Sequence, residues 1–335
     1  ESLSEVITNA MRTATSGKNG ASFISIPQDV ISSPVKADAI SLCQKPHLGV
    51  PSEQEINEVI EAIKNSKFPV LLAGMRSSSQ AETEAIRRLV QKTNLPVVET
   101  FQGAGVISRD LENHFFGRVG LFRNQVGDQL LKKADLVVTI GYDPIEYEAS
   151  NWNHELDTEI INIDEVAAEI TNHLRPEKEL IGNIAGTIEL ISENIDAPII
   201  DDKHLNDLEK LRAEVIETSG IKCTHVDGVL HPLEIIETMQ KSLSDDTTVT
   251  VDVGSHYIWM ARKFRSYNPR HLLFSNGMQT LGVALPWAIA AALVRPNTQV
   301  VSVAGDGGFL FSGQDLETAV RKKLNIIQLI WNDGK

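Results

Sequence analysis

The sequence runs to 335 residues, 42% hydrophobic and 23% charged, which is enough apolar material for more than one core at about 100–200 residues per domain. Acidic residues outnumber basic ones by 45 to 31, a formal net charge of −14. This excludes a general binder of nucleic acid or of anionic membranes but leaves room for small anions held by local donors and metals. The longest apolar stretch, Leu281 to Val294, is interrupted by Pro286 and falls short of the about 20 residues a membrane span needs, so a core helix is expected there.

In chain order, Ile7 to Thr15 reads as the end of a helix and Ala21 to Ile26 as a strand running into an exit loop. Cys43 and Cys223 lie far apart and form no CxxC pair, so neither a disulfide framework nor a zinc site is expected, and both read as reduced thiols. From Pro69 the sequence repeats a short apolar run ending in Gly or Asp, a helical pattern, and another apolar run. Pro69 to Gly74, Leu95 to Val98, Ala134 to Gly141 and Glu159 to Asp164 are predicted strands, with a helix from about Gln80 to Lys92. Continuous apolar strands alternating with helices imply a doubly wound parallel sheet covered on both faces. The polar stretch after Asp196 reads as a linker with a modest helix around Leu205, Leu208 and Leu211, and His231-Pro232 as a fresh helix start.

The βα alternation resumes at Thr247. Predicted strands end in Gly254-Ser255-His256, in Ser275-Asn276-Gly277, in Gly305-Asp306-Gly307-Gly308 and in Asn332-Asp333-Gly334, with helices through Trp259, from Gly282 to Val294 and from Gly313 to Lys323. In open parallel sheets ligands bind outside the carboxyl ends of strands. The segment from Gly305 to Asn332 holds one helix and one return strand, so the two clusters are expected on neighbouring strand ends, able to share one ligand. The glycines let backbone N–H groups approach a phosphate. The Asp306 carboxylate would repel a bare diphosphate, and a divalent cation resolves that conflict: Mg²⁺ can bridge Asp306, the side-chain oxygen of Asn332, the carbonyl of Gly334 and phosphate oxygens. Asp-Gly is also a common turn, which leaves a purely structural reading of Gly305-Asp306-Gly307 open. No GxGxxG dinucleotide fingerprint occurs; Leu310 stands where its third glycine would be.

These motifs resemble those of the thiamine diphosphate enzymes of the pyruvate oxidase and acetohydroxyacid synthase group. The segments Ser275 to Ile289, Val301 to Leu310, Gly120 to Gln125 and Thr139 to Tyr147 are similar to the catabolic acetolactate synthases of fermenting bacteria, and the likeness covers essentially the whole chain. One departure is Trp331 before Asn332, where the family has paired asparagines. The resemblance implies an α/β fold of doubly wound parallel sheets, with a complete central Rossmann-like domain flanked by partial thiamine diphosphate-binding domains. Residues 1–35 would be the C-terminal tail of a pyrimidine-binding domain, 36–192 the central domain, 193–228 a linker, and 229–335 the first half of the diphosphate-binding domain. A chain that opens on Glu1 and stops at Lys335 just after an apolar run is thus expected to be a fragment.

The same resemblance implies thiamine diphosphate and Mg²⁺ as cofactors and the condensation of two pyruvate molecules to 2-acetolactate with release of CO₂. Gly254, Ser255 and His256 would serve the diphosphate end, His256 being equally readable as a helix cap or surface residue. Gln279 would contact the aminopyrimidine. Leu281 would wedge under the cofactor to force its V shape, unless it is simply a core leucine. Gly305, Asp306, Gly307, Gly308 and Asn332 would cradle the diphosphate, with Asp306, Asn332 and Gly334 on the metal. The glutamate that activates the cofactor precedes Glu1 in this family, so no catalytic acid or base is assigned and the chain alone is expected to be inactive. FAD is not expected, although Arg76, Arg123 and the turn Gln102 to Gly105 read either as remnants of a nucleotide site or as plain interdomain contacts. A cytoplasmic dimer or tetramer acting on pyruvate, without nucleic acid or membrane partners, completes the expectation. The alternatives are another thiamine diphosphate enzyme, such as pyruvate oxidase or a 2-keto acid decarboxylase, or a non-catalytic nucleotide-binding module.

Overall fold

The computed structural model describes residues 2–34, 40–41, 46–121, 125–196, 198–218, 228–332 and 334. Cys43, Arg123, Cys223 and Asp333 lie outside the described residues.

The chain begins with α1 (Leu3–Ala14) and a single turn, α2 (Gln28–Ile31). The segment from Ala21 to Ile26 forms no strand, contrary to the sequence expectation. It pairs with no strand among the described residues, and Phe23 stands 92% exposed. An apolar run becomes a strand only when a neighbouring edge takes up its N–H and C=O groups.

Helix α3 (Glu53–Asn65) opens with a capping box: Ser52 Oγ accepts from the Glu55 N–H, and the Glu55 carboxylate accepts from the Ser52 N–H at 2.7 Å. There follow β1 (Pro69–Ala73), α4 (Gln80–Thr93), β2 (Val97–Thr100), β3 (Phe115–Val119), α5 (Val126–Lys133), β4 (Leu136–Ile140), β5 (Glu159–Asp164), β6 (Lys178–Ile181) and α6 (Ile184–Asn194). The strands form one parallel sheet in the order β3-β2-β1-β4-β5-β6, with the switch point between β1 and β4. Strands β1 and β4 are buried at every position, as expected of strands covered by helices on both faces.

Helix α7 (Asp202–Thr218) carries the connection, and α8 (Pro232–Ser242) starts where His231-Pro232 predicted: His231 Nδ1 accepts from the Leu233 N–H, with proline at the first helical position. The second sheet contains β7 (Thr248–Val251), β8 (Leu272–Phe274), β9 (Val300–Gly305) and β10 (Ile326–Trp331), all parallel, in the order β10-β9-β7-β8. Its helices are α9 (Ser255–Lys263), α10 (Ala284–Val294), α11 (Asp306–Ser312) and α12 (Leu316–Arg321). Helix α12 lies within the predicted helix Gly313 to Lys323, while α11, which the sequence reading did not expect, begins at Asp306 directly after Gly305 in extended backbone (φ −71°, ψ 165°). Phe101 and Ala104, from the end of β2, are buried in the core of the second sheet, so the two sheets share packing at that point.

Candidate active site

Strand pairing decides what meets at the carboxyl edge of the second sheet. Trp331 of β10 is in register with Gly305 of β9, so Asp306 and Asn332, one step further on, emerge from adjacent strands. Strand β7 lies on the other side of β9, and this brings the loop from Gly254 to His256 against the same edge. A Cβ placed on Gly305 would lie 3.3 Å from His256 Cε1.

His256 is 2% exposed, which removes its reading as a surface histidine, and its helix opens on Gly254 with no side-chain cap bond, which removes its reading as a cap. Its ring centroid stands 6.2 Å from that of Trp331, and its Nε2 has no hydrogen-bond partner among the described residues. Burial lowers the imidazole pKa below its usual value, while the nearby Asp252 charge opposes that shift. A neutral histidine is thus favoured, with a buried ring nitrogen left to meet something absent from the protein itself. Gly254 is required beside it: its φ is +154°, and a Cβ there would stand 2.6 Å from the His256 ring.

Asp252 is the residue that the sequence reading missed. Fully buried at the end of β7, its Oδ1 accepts from the Val253 N–H at 2.8 Å and the Gly282 N–H at 3.0 Å, and its Oδ2 accepts from the Ala284 N–H at 3.3 Å. One carboxylate thereby fixes the loop carrying Gln279 and Leu281 to the end of β7, from which the chain enters the helix of Ser255 and His256. It also lies against Gly308, where a Cβ would sit 3.2 Å from its Cγ. The available signal was an acid closing the β-branched run Thr248 to Val251.

Other expected residues fall on the open side of the same edge. Asp306 and Gly307 are exposed, and a Cβ on Gly307 would meet nothing within 4 Å, which leaves clear space above the loop. The Asn332 side-chain oxygen accepts from the Gly334 N–H at 2.8 Å, a local turn with Gly334 at φ +74° that leaves the second lone pair of the amide oxygen for another partner. Among the described residues no group of three or more His, Cys, Asp or Glu could hold a metal, so a cation here would rely on one carboxylate, an amide and carbonyl oxygens, and its ligand's own oxygens. Gln279 adopts φ +50°, and its side chain is partly exposed. Leu281 is 43% exposed and joins no apolar core, so its reading as a core leucine is corrected.

The first sheet contributes from the side. The loop after β4 packs Ile145 within 3.5 Å of the Cβ position of Gly277, and Asn276 Nδ2 donates to the Glu146 carbonyl at 3.5 Å. Glu146 itself is buried, its carboxylate accepting from Thr100 Oγ1 at 2.7 Å and from the Met75 N–H at 2.8 Å. Burial pushes its pKa up to about 7 from an ordinary 4.5, against the two hydrogen bonds. Between those values the folded protein keeps a proton that the unfolded chain has released, so the contribution of Glu146 to stability is most favourable below pH 4.5 and falls as pH rises towards 7. The cumulative cost is about 3 kcal/mol. Glu146→Gln should escape it, so the melting temperature of the variant relative to the parent should rise between about pH 5 and about pH 8. A pH-independent difference would rule out this titration.

At the β1/β4 switch point, where a dinucleotide would lie, Arg76 lines a cavity of about 370 Å³ and is held by two carboxylates. Arg76 donates through Nε and Nη2 to Asp164 at 2.7 and 2.6 Å and through Nη1 to Asp143 at 3.0 Å, and Lys18 reaches Asp143 at 2.8 Å. The turn Gln102 to Gly105 is an interdomain contact: the Gly105 carbonyl accepts from Arg87, and a Cβ on Gly105 would stand 2.1 Å from the Asn268 carbonyl oxygen. Among the described residues no helix is long and apolar enough to cross a membrane.

Two parallel sheets, with a glycine-lined, acid-bearing cradle at the strand ends of the second, define the class. Residues 56–191 match the central domain of thiamine pyrophosphate enzymes and residues 252–335 their C-terminal thiamine pyrophosphate-binding domain; the chain belongs to this family. Over its whole length it is 46% identical to the acetolactate synthase of Bacillus subtilis (strain 168) and 39% identical to the catabolic acetolactate synthase of Raoultella terrigena. It is 28% identical to 2-hydroxyacyl-CoA lyase 1 of Homo sapiens. The chain spans 59%, 60% and 59% of the lengths of these three relatives.

Proposed function

We propose that the full-length protein is an acetolactate synthase that joins two pyruvate molecules with loss of CO₂, using thiamine diphosphate and Mg²⁺. The observation that carries this reading is the register of β9 with β10, which sets Asp306 beside Asn332 with the unsatisfied ring of His256 next to Gly305. Asp306, Asn332 and the Gly334 carbonyl would hold the cation. Gly254, Ser255, His256, Gly305, Gly307 and Gly308 would meet the diphosphate, the open space above Gly307 giving it room. Gln279 would face the aminopyrimidine, and Leu281, half exposed on its loop, would support the bent cofactor from below. When bound, thiamine diphosphate supplies a nucleophilic carbon and an electron sink for decarboxylation and carbon–carbon bond formation. The protein's part is to orient that carbon, exclude water and hold the diphosphate.

The domain boundaries 1–35, 36–192, 193–228 and 229–335 belong to the same reading. So do a cytoplasmic location and a dimer or tetramer in which another subunit completes the site. The absence of a flavin belongs to the same reading and is supported by the lack of a GxGxxG fingerprint in the sequence.

Calorimetry on the full-length protein tests the cofactor. Tight binding of thiamine diphosphate with Mg²⁺ is expected, and NAD binding with no thiamine diphosphate response would overturn the reading. Acetolactate formed from pyruvate without flavin or oxygen separates it from an oxidase or a decarboxylase. Leu281→Ala tests the wedge: because the side chain is 43% exposed, melting should change by only about 0.5 kcal/mol, while kcat should fall about tenfold or more. Equal losses in melting and activity would make Leu281 a packing residue.

A further inference from the structure

The helix that presents Ser255 and His256 is held from the other sheet. Helix α9 is nine residues long, a rod of about 13 Å, and its C-terminal turn exposes backbone carbonyls that need donors. Arg118, on β3 of the first sheet, supplies them. It is 5% exposed, and its Nη1 donates to the Ala261 carbonyl at 2.9 Å and the Phe264 carbonyl at 2.7 Å. Its Nε donates to Glu99 at 3.3 Å, and the other oxygen of that fully buried carboxylate accepts from the Ile107 N–H at 2.9 Å. Burial lowers the guanidinium pKa only to about 10, so the group stays charged at neutral pH, where a cation at a helix C-terminus is favourable. The other half of the helix is also gripped from the first sheet, because the Phe101 ring packs edge-on against Tyr257 with centroids 5.7 Å apart.

We propose that Arg118 is a positioning residue for the cofactor's diphosphate: by fixing the last carbonyls of α9 from the central domain, it sets where Ser255 and His256 stand at the opposite end of that helix. The inference rests on the thiamine diphosphate reading of the site. A nine-residue helix moves largely as one piece, so a lost anchor at Phe264 is expected to shift the His256 ring. That ring lies beside the backbone of Gly254 and Gly305, where any side chain would crowd it, and its centroid is 6.2 Å from that of Trp331. The central domain thereby acquires a task in cofactor binding that needs no ligand of its own.

The test uses the full-length protein. Removing Arg118 alone would leave the buried Glu99 with Arg265, 3.7 Å away, as its remaining counter-charge, so the informative variant is Glu99→Gln/Arg118→Met, which removes both members of the closer pair, alongside Arg118→Lys, which keeps a charged donor. Dissociation constants for thiamine diphosphate with Mg²⁺, and for inorganic pyrophosphate with Mg²⁺, are read from tryptophan fluorescence, Trp331 being beside His256. Both are measured well below each variant's melting temperature. The double variant should bind both ligands about tenfold or more weakly, with kcat at saturating cofactor little changed, and Arg118→Lys should stay within about threefold of the parent. Pyrophosphate lacks both rings, so a matching loss places the effect at the diphosphate end. Unchanged constants in a double variant that melts earlier would overturn the proposal and leave Arg118 a stability residue. A parent protein that binds neither ligand would overturn the site reading itself, and the inference with it.

Discussion

Asp306→Ala in the full-length protein is expected to abolish Mg²⁺-dependent retention of thiamine diphosphate while leaving the fold intact. The side chain is exposed at the start of α11, so its removal takes nothing from a core. Its electrostatic part is large, because it is the one carboxylate of the proposed cation set. Without it the cation would be left with amide and carbonyl oxygens, and affinity in the presence of Mg²⁺ should fall about 100-fold or more. In a chelator the order should close or reverse, since the parent's carboxylate then only repels the diphosphate. Calorimetric titration with and without Mg²⁺ reads both limbs. Equal affinity of parent and variant at saturating Mg²⁺ would remove Asp306 from the metal.

The second large effect is expected from Asp252→Ala, at a residue that touches no proposed ligand. Its carboxylate takes three buried or half-buried N–H groups, from Val253, Gly282 and Ala284. Each buried donor left without an acceptor costs about 1–3 kcal/mol, so the substitution should cost about 3 kcal/mol or more of stability. Because the same bonds set the loop of Gln279 and Leu281 against the strand end of Ser255 and His256, cofactor affinity should fall in whatever fraction stays folded. Gly282 shows how tightly this loop is held, with φ +80° and a Cβ position 2.6 Å from Phe311 Cβ. Asp252→Asn, which keeps one acceptor oxygen, should recover part of the stability. A melting temperature unchanged in Asp252→Ala would show that the loop is held by other means.

Much of the fold was legible because parallel strands buried on both faces read as unbroken apolar runs, as at Val70 to Ala73 and Val300 to Ala304. Strands β3 and β6 escaped notice: the first contains Gly117 and Arg118 and the second is only half buried, so neither has that signature. The stretch Ala21 to Ile26 erred the other way, with the composition of a strand but no edge to pair with. At the proposed site, Gly305-Asp306-Gly307 and Asn332 were singled out not by the common Asp-Gly turn itself but by two such clusters at the ends of successive predicted strands. Asp252, Glu146 and Arg118 were not found. Each is a single charged residue whose role depends on partners far away in the chain, such as Ala261 and Phe264 for Arg118 and Thr100 for Glu146.

The sequence by itself determined the alternation of strands and helices, the placing of glycine and acid at strand ends, and the absence of a dinucleotide fingerprint, all of which follow from local periodicity and backbone chemistry. Only the tertiary structure decided which strand ends are neighbours. The order β10-β9-β7-β8 brings residues 254–256 to the same edge as 305–308 and 332, and it turns His256 from an ambiguous histidine into a buried ring with an unpaired nitrogen. It also decided that the first sheet grips the helix carrying that ring. The physical reason is that strand order and buried charge pairing depend on contacts between segments more than 140 residues apart in the case of Arg118 and Ala261, and no local pattern records them.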